Sequence, residues 1–279
     1  MKKKELVQES STVEVERVND EDSLNIVFKP NAGPQTDFLA AGEREVLYGG
    51  SAGGGKSYAM LADPLRYMGH PSFSGLLLRH TTEELRELIY KSKEIYPQIW
   101  KGIKWSERKM QWEAPSGARL WMSYLDRDDD VLRYQGLAFS WIGFDELTQW
   151  STPYAWNYMR SRLRSVAQDL PVYMRATTNP GGPGHQWVKK MFIDPAPYGR
   201  KFDATDIESG NVLSYPKGHS KAGQALFKRR FIPARLSDNP YLSAQGDYEA
   251  MLLSLPEHQR KQLLEGDWDI KEGAAFTEF

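Results

Sequence analysis

Residues 50–57 read GSAGGGKS and lie between an apolar run, EVLYG, and a good helix former, KSYAMLADPL. The octet fits GxxxxGK[ST], which at average residue usage arises by chance in about 1% of chains this long, before any flanking context is required. A strand delivers such a loop, glycines let successive N–H groups curl around phosphate oxygens, and the helix that follows turns its positive end toward them. The expected nucleotide contacts are therefore Gly50, Ser51, Ala52, Gly53, Gly54, Gly55, Lys56 and Ser57. Lys56 is expected to reach the β- and γ-phosphates of ATP, and the Ser57 hydroxyl to ligate Mg2+.

Short apolar runs alternate with longer helical patterns on both sides of this loop: SGLLLRHT then TEELRELIYKSKEIYPQIW, FSWIGFDE then PYAWNYMRSRLRS, and finally PVYMRATTNP. Strands apolar on both faces and separated by helices predict a parallel sheet covered by helices. MQWEAPSGARLWMSYL reads as a hairpin about Ser-Gly, an antiparallel edge on that sheet. The fold class is α/β, a P-loop NTPase of the ASCE type with a mostly parallel central sheet and a small C-terminal lid subdomain. The expected organisation is a mobile polar arm over 1–22, an ATPase core over 23–204 and a lid or linker over 205–270. A continuous amphipathic helix is expected at YEAMLLSLPEHQRKQLLEG, and residues 271–279 begin a further link.

The strand SWIGFDE ends in Asp145 and Glu146. Two carboxylates at the end of a buried strand are costly unless a metal or a reaction uses them. With a phosphate loop upstream, Asp145 is expected to hold the Mg2+ shell and Glu146 to act as general base on water; an N-cap for the next helix is the structural alternative. Thr177, Thr178 and Asn179, in ATTNP, close the next strand where a γ-phosphate would lie, as a sensor or as an ordinary Asn-Pro turn. Arg133 is either a finger supplied to a neighbouring subunit or a solvated helix residue. Gln35 could meet an adenine edge or lie on the surface. Arg79 could couple nucleotide state to movement or cap its helix.

Composition narrows the chemistry further. The 279 residues contain no cysteine, which excludes thiol catalysis, iron–sulfur clusters and Cys-ligated zinc. The five histidines have no paired ligand spacing, and no run approaches the ~18 apolar residues of a membrane span. With 36 basic and 37 acidic side chains the net charge is −1, so any nucleic-acid contact must be local. Lys189, Lys190, Arg200 and Lys201, and Lys228, Arg229 and Arg230, could line a DNA path or form a solvated face.

Together these motifs resemble the large terminase subunits of tailed bacteriophages, motors that package DNA into procapsids. Gln35 is similar to that family's adenine-contacting glutamine, GSAGGGKS to its Walker A loop, WIGFDE to its Walker B strand with the catalytic glutamate, and ATTNP to its coupling motif. LRYQG resembles the region that carries a trans-acting arginine, and FIPARLSDNPYL with LEGDWDIKEGAAF resembles the segment linking the ATPase to a nuclease. The resemblance implies catalytic roles for Glu146, Lys56 and Arg133, and a ring of copies, expected to be a pentamer, on the procapsid portal. It also implies double-stranded DNA, the portal protein and the small terminase subunit as partners, and a place in the host cytoplasm. The sequence stops at Phe279, short of the family's RNase H-like nuclease, so ATP hydrolysis without DNA cleavage is expected. Two other readings stay open: another DNA-dependent ring ATPase of helicase or recombinase type, and a nucleotide-gated switch for capsid or portal assembly.

Overall fold

The structure is a computed structural model that describes residues 26–244 and 246–270. The expected arm at 1–22 and link at 271–279 lie outside the described residues. Among the described residues nine strands form one sheet: β1 Glu45–Gly50, β2 Ser74–Arg79, β3 Lys104–Ser106, β4 Gln111–Glu113, β5 Arg119–Tyr124, β6 Trp141–Asp145, β7 Tyr173–Thr178, β8 Lys201–Asp203 and β9 Lys228–Ala234. Their order is β3-β4-β5-β2-β6-β7-β1-β9-β8. Neighbours from β5 to β9 pair in parallel, and the pairs β3–β4, β4–β5 and β8–β9 are antiparallel. The hairpin expected about Ser116-Gly117 is present as β4–β5 in the antiparallel end of the sheet, with β3 outermost and β5 joining it to β2.

Alternation along the strands sorts side chains into two layers. Leu76 and Leu78 of β2 pack into one layer with Ile142, Phe144 and Trp156, and Leu77 packs into the other with Met60, Leu85 and Leu88. The first layer is covered by α4 (Tyr154–Arg160) and α5 (His185–Val188), the second by α2 (Lys56–Ala62) and α3 (Thr82–Ile99), and α1 (Pro34–Ala40) precedes β1. Helix α3 begins at a capping box, in which Thr81 Oγ1 accepts from the Glu84 N–H and Glu84 accepts from the Thr81 N–H, and it continues through Pro97. Among the described residues no helix is long and apolar enough to cross a membrane.

Strand β9 falls inside the 205–270 segment expected as a lid, and its pairing with β1 makes that part of the segment a strand of the sheet. The continuous helix expected near the end is interrupted. It forms α7 (Asp247–Leu253), then α8 (Glu257–Arg260) running into a π-helical turn at Lys261–Glu265. Pro256 cannot donate the N–H that a through-going helix would need there.

The join between β1 and β9 carries a buried ion triad. Glu45 opens β1 opposite Arg229 of β9, whose Nε donates to Glu45 Oε2 at 2.7 Å, while Arg160 from the end of α4 closes on the same carboxylate. Burial raises the Glu45 pKa, but the two guanidiniums outweigh it and hold the carboxyl below the usual range. That stabilisation is complete above the unfolded value, about pH 4.3, and is lost as pH falls through the lower folded value. Glu45→Gln strands two cations and should cost about 3–5 kcal/mol by urea unfolding at pH 7, with the difference from wild type shrinking in acid.

Candidate functional site

Because β5, β2, β6, β7, β1 and β9 run in parallel, their last residues form one row: Tyr124, Arg79, Asp145, Thr178, Gly50 and Ala234. Ligands of open parallel sheets bind outside this carboxyl edge. The loop from Gly50 to Gly55 leaves β1, between β7 and β9 in the row, and enters α2 at Lys56.

Glycine is required at three loop positions by backbone conformation, with φ 133° at Gly50, 78° at Gly53 and 76° at Gly55. At Gly50 a Cβ would also strike the Ala234 carbonyl. The loop carbonyls face side chains of the protein: Gly53 O accepts from Asn239 Nδ2 at 2.6 Å, Gly54 O from the Tyr48 hydroxyl at 2.7 Å, and Gly55 O from Gln35 Nε2 at 2.9 Å. Burial raises the Tyr48 pKa, so the hydroxyl stays a donor. Ser51 and Ala52, expected among the phosphate contacts, instead spend their N–H groups on the Ala234 and Leu263 carbonyls at 2.8 and 2.6 Å. These two residues fasten the loop to the C-terminal segment.

Four charged groups meet beside the loop. Lys56 is buried, with Nζ donating to Ser51 O and to Asn179 Oδ1, both at 2.7 Å. Arg79 Nη2 lies 2.6 Å from Oδ2 of the fully buried Asp145, and Thr177 Oγ1 donates to Asp145 Oδ1. Burial lowers the Lys56 pKa, opposed by the charges of Glu146 and Asp145. Burial raises the Glu146 pKa, and the Asp145 charge adds to it, against the opposing pull of Lys56 and Arg79. Glu146 also stands at φ 60° and ψ 56°, a left-handed conformation worth about 1–2 kcal/mol of strain in a residue with a Cβ. Strain of this kind persists where packing over-determines it, often at functional sites.

The three residues expected to sense phosphate each engage a different partner. Thr177 holds Asp145, Thr178 Oγ1 lies 2.8 Å from Thr148 Oγ1, and Asn179 holds Lys56. Gln35 is buried, its Oε1 accepting the Asn31 N–H at 2.6 Å while its Nε2 holds Gly55. Ser57 occupies the second position of α2. Arg133 is not drawn into this group. It sits in a 3-10 turn, Asp128–Tyr134, half-exposed, donating to the Tyr124 and Asp130 carbonyls. Strand β5 is four strands from β1, roughly 19 Å at the usual strand spacing.

A model of the phage terminase large subunit matches residues 43–222, well over half of the chain. The chain belongs to the phage terminase large subunit family. The large terminase of a thermophilic bacteriophage, in complex with ADP, is similar at 17% identity and TM-score 0.60, covering 86% of this chain and 54% of that one. A second crystal form of that terminase gives 16%, 0.62, 90% and 57%. The ATPase domain of the Thermus phage P74-26 large terminase gives 13%, 0.53, 86% and 94%. At these identities the likeness shows the terminase ATPase fold. The chain spans about half the length of the first two and nearly all of the third. No curated protein matches it.

The terminase fold reassigns part of the basic sequence. Arg229 is buried on Glu45, Arg230 donates to Gly199 O, Lys228 pairs with Asp203, and Lys189 pairs with Asp194 and Asp269. Lys190, Arg200 and Lys201 are exposed. So are Lys217 and Lys221, in a stretch with no acidic residue from Ser209 to Ser237. Tyr48 and Asn239 were not legible as site residues, since one reads as a strand aromatic and the other as half of an Asn-Pro turn. Arg79→Met should leave Asp145 buried without its cation and cost about 3 kcal/mol in urea unfolding at pH 7.

Proposed function

We propose that this chain is the ATP-hydrolysing motor portion of a DNA-packaging terminase. The observation that carries the reading is the meeting, on one sheet edge, of a phosphate loop whose carbonyls are held against the protein, the Lys56 cation and the Asp145–Glu146 pair. On this reading the loop N–H groups and Lys56 bind the phosphates of ATP, with Gln35 set to approach the base. Lys56 then gives up Asn179 for the γ-phosphate, and Asn179 is free to report its presence until hydrolysis returns Lys56 to it.

Among the described residues no cluster of three or more acidic or imidazole groups could hold a metal unaided. That donor set suits Mg2+, which keeps water and substrate phosphates as ligands and asks the protein for one or two oxygens. Ser57 and Asp145 would supply them, and the ion would neutralise phosphate charge. Asp145 is kept in place for that task by Thr177 and Arg79. Glu146 accepts the proton of the attacking water, and its raised pKa makes it a stronger base than an ordinary carboxylate.

Arg133 completes the active site of a neighbouring copy in a homo-oligomeric ring of five, consistent with its distance from its own loop and its exposure. The ring acts at the procapsid portal in the host cytoplasm, with the portal protein and small terminase subunit. Double-stranded DNA is gripped locally through exposed cations such as Lys217 and Lys221.

Glu146→Gln should keep ADP affinity within about threefold and lower turnover by about 10²–10⁴; unchanged turnover removes Glu146 from the role of base. Because the base must be deprotonated and its pKa is raised, the acidic limb of the wild-type kcat profile should lie at higher pH than an ordinary glutamate would give, and be absent from the residual rate of the variant. Arg133→Ala should lose turnover in the assembled ring while binding ADP normally, and full ring activity would place the finger elsewhere.

A further inference from the structure

The stretch RLSDNPYL, after β9, has no part in the chemistry above, yet Asn239 from it touches the phosphate loop. Three consecutive loop carbonyls are held by three buried donors: Gly53 by Asn239, Gly54 by Tyr48 and Gly55 by Gln35. A trans peptide is planar, so its N–H points opposite to its C=O. Fixing these carbonyls against the protein therefore turns the N–H groups of Gly54, Gly55 and Lys56 to the other side of the loop. Those N–H groups meet no acceptor among the described residues. Successive N–H groups turned to one side form a concavity for an anion.

Asn239 is itself fixed at both ends. Its Nδ2 donates to Gly53 O at 2.6 Å, and its Oδ1 accepts the Tyr241 N–H at 3.2 Å as the N-cap of α6 (Pro240–Ser243). The amide therefore has one orientation that serves both bonds. Around it the segment packs closely on the loop. A Cβ on Gly53 would lie 2.7 Å from Leu236 Cδ1, 2.9 Å from Tyr248 Cε1 and 3.2 Å from Leu242 Cδ1. A side chain at that position would lift the segment away.

We infer that Asn239 is a positioning residue of the nucleotide site: it sets the Gly53–Gly54 peptide so that the Gly54 N–H faces the bound phosphates. The inference rests on the reading of this loop as the ATP site. It has a reciprocal consequence, because whatever docking of Leu236, Asn239, Leu242 and Tyr248 on the loop adds to phosphate affinity, bound nucleotide returns to docking.

Asn239→Ser separates this role from capping. Serine is a good N-cap acceptor, but its hydroxyl is one bond too short to keep the Gly53 contact. The readouts are ADP affinity by calorimetry, steady-state ATPase, and the thermal midpoint without nucleotide. Asn239→Ser should weaken ADP binding about tenfold and raise KM by a similar factor with kcat within about twofold, as expected for binding lost equally in ground and transition states. The nucleotide-free midpoint should stay within about 2 °C of wild type. Tyr48→Phe, which frees Gly54 O, should weaken ADP binding in the same way. If wild type itself binds no ADP, the reading of the loop as the ATP site fails. If wild type binds and Asn239→Ser binds equally well, Asn239 has no positioning role. A loss of affinity no larger than the loss of folded protein would likewise overturn the assignment.

Discussion

A phosphate cradle needs backbone N–H groups that face empty space, and a folded chain ordinarily leaves none unpaired. This protein meets the requirement by holding the other half of each peptide. Asn239, Tyr48 and Gln35 fix three successive loop carbonyls, so the conjugate N–H groups are turned outward as a matter of planar geometry. The three donors come from a turn after β9, from β1 itself and from a helix ahead of it, Pro34–Ala40. The loop is thus assembled by the tertiary fold, and the sheet that joins β1 to β9 is part of the apparatus.

The second constraint is charge. Arg79 pairs with the buried Asp145, and the charges of Lys56 and Arg79 both act on Glu146, so two cations balance two anions beside the loop. The charges of both cations oppose the burial that raises the Glu146 pKa. The same balance leaves Glu146 with a raised pKa and a strained backbone, the combination a base would need. Thr177, near the end of β7, and Asn179, just past it, reach into the two halves of this cluster, one holding Asp145 and the other Lys56.

Much of this was written locally. The strand, glycine loop and helix around Lys56, and the apolar strand ending in Asp145-Glu146, are contiguous patterns whose physical reasons are short-range, and the α/β P-loop fold followed from them. What could not be read depends on pairings far apart in the chain. Ser51 and Ala234 are separated by 183 residues, and nothing in KRRFIPA announces a strand beside β1. Arg229 reads as part of an exposed basic run because its partner, Glu45, lies 184 residues away. Pro256 shows the reverse case, a local signal strong enough to break a helix that the apolar spacing favoured.

Where a nucleotide's phosphates meet the loop is decided most directly by a crystal structure with Mg2+ and a non-hydrolysable ATP analogue. The N–H groups of Gly54, Gly55 and Lys56 should lie within hydrogen-bond distance of phosphate oxygens, with the three carbonyls still held by Asn239, Tyr48 and Gln35. Lys56 Nζ should have left Asn179 for the γ-phosphate. A nucleotide bound away from the loop, or loop carbonyls released by all three donors and facing the phosphates, would contradict it.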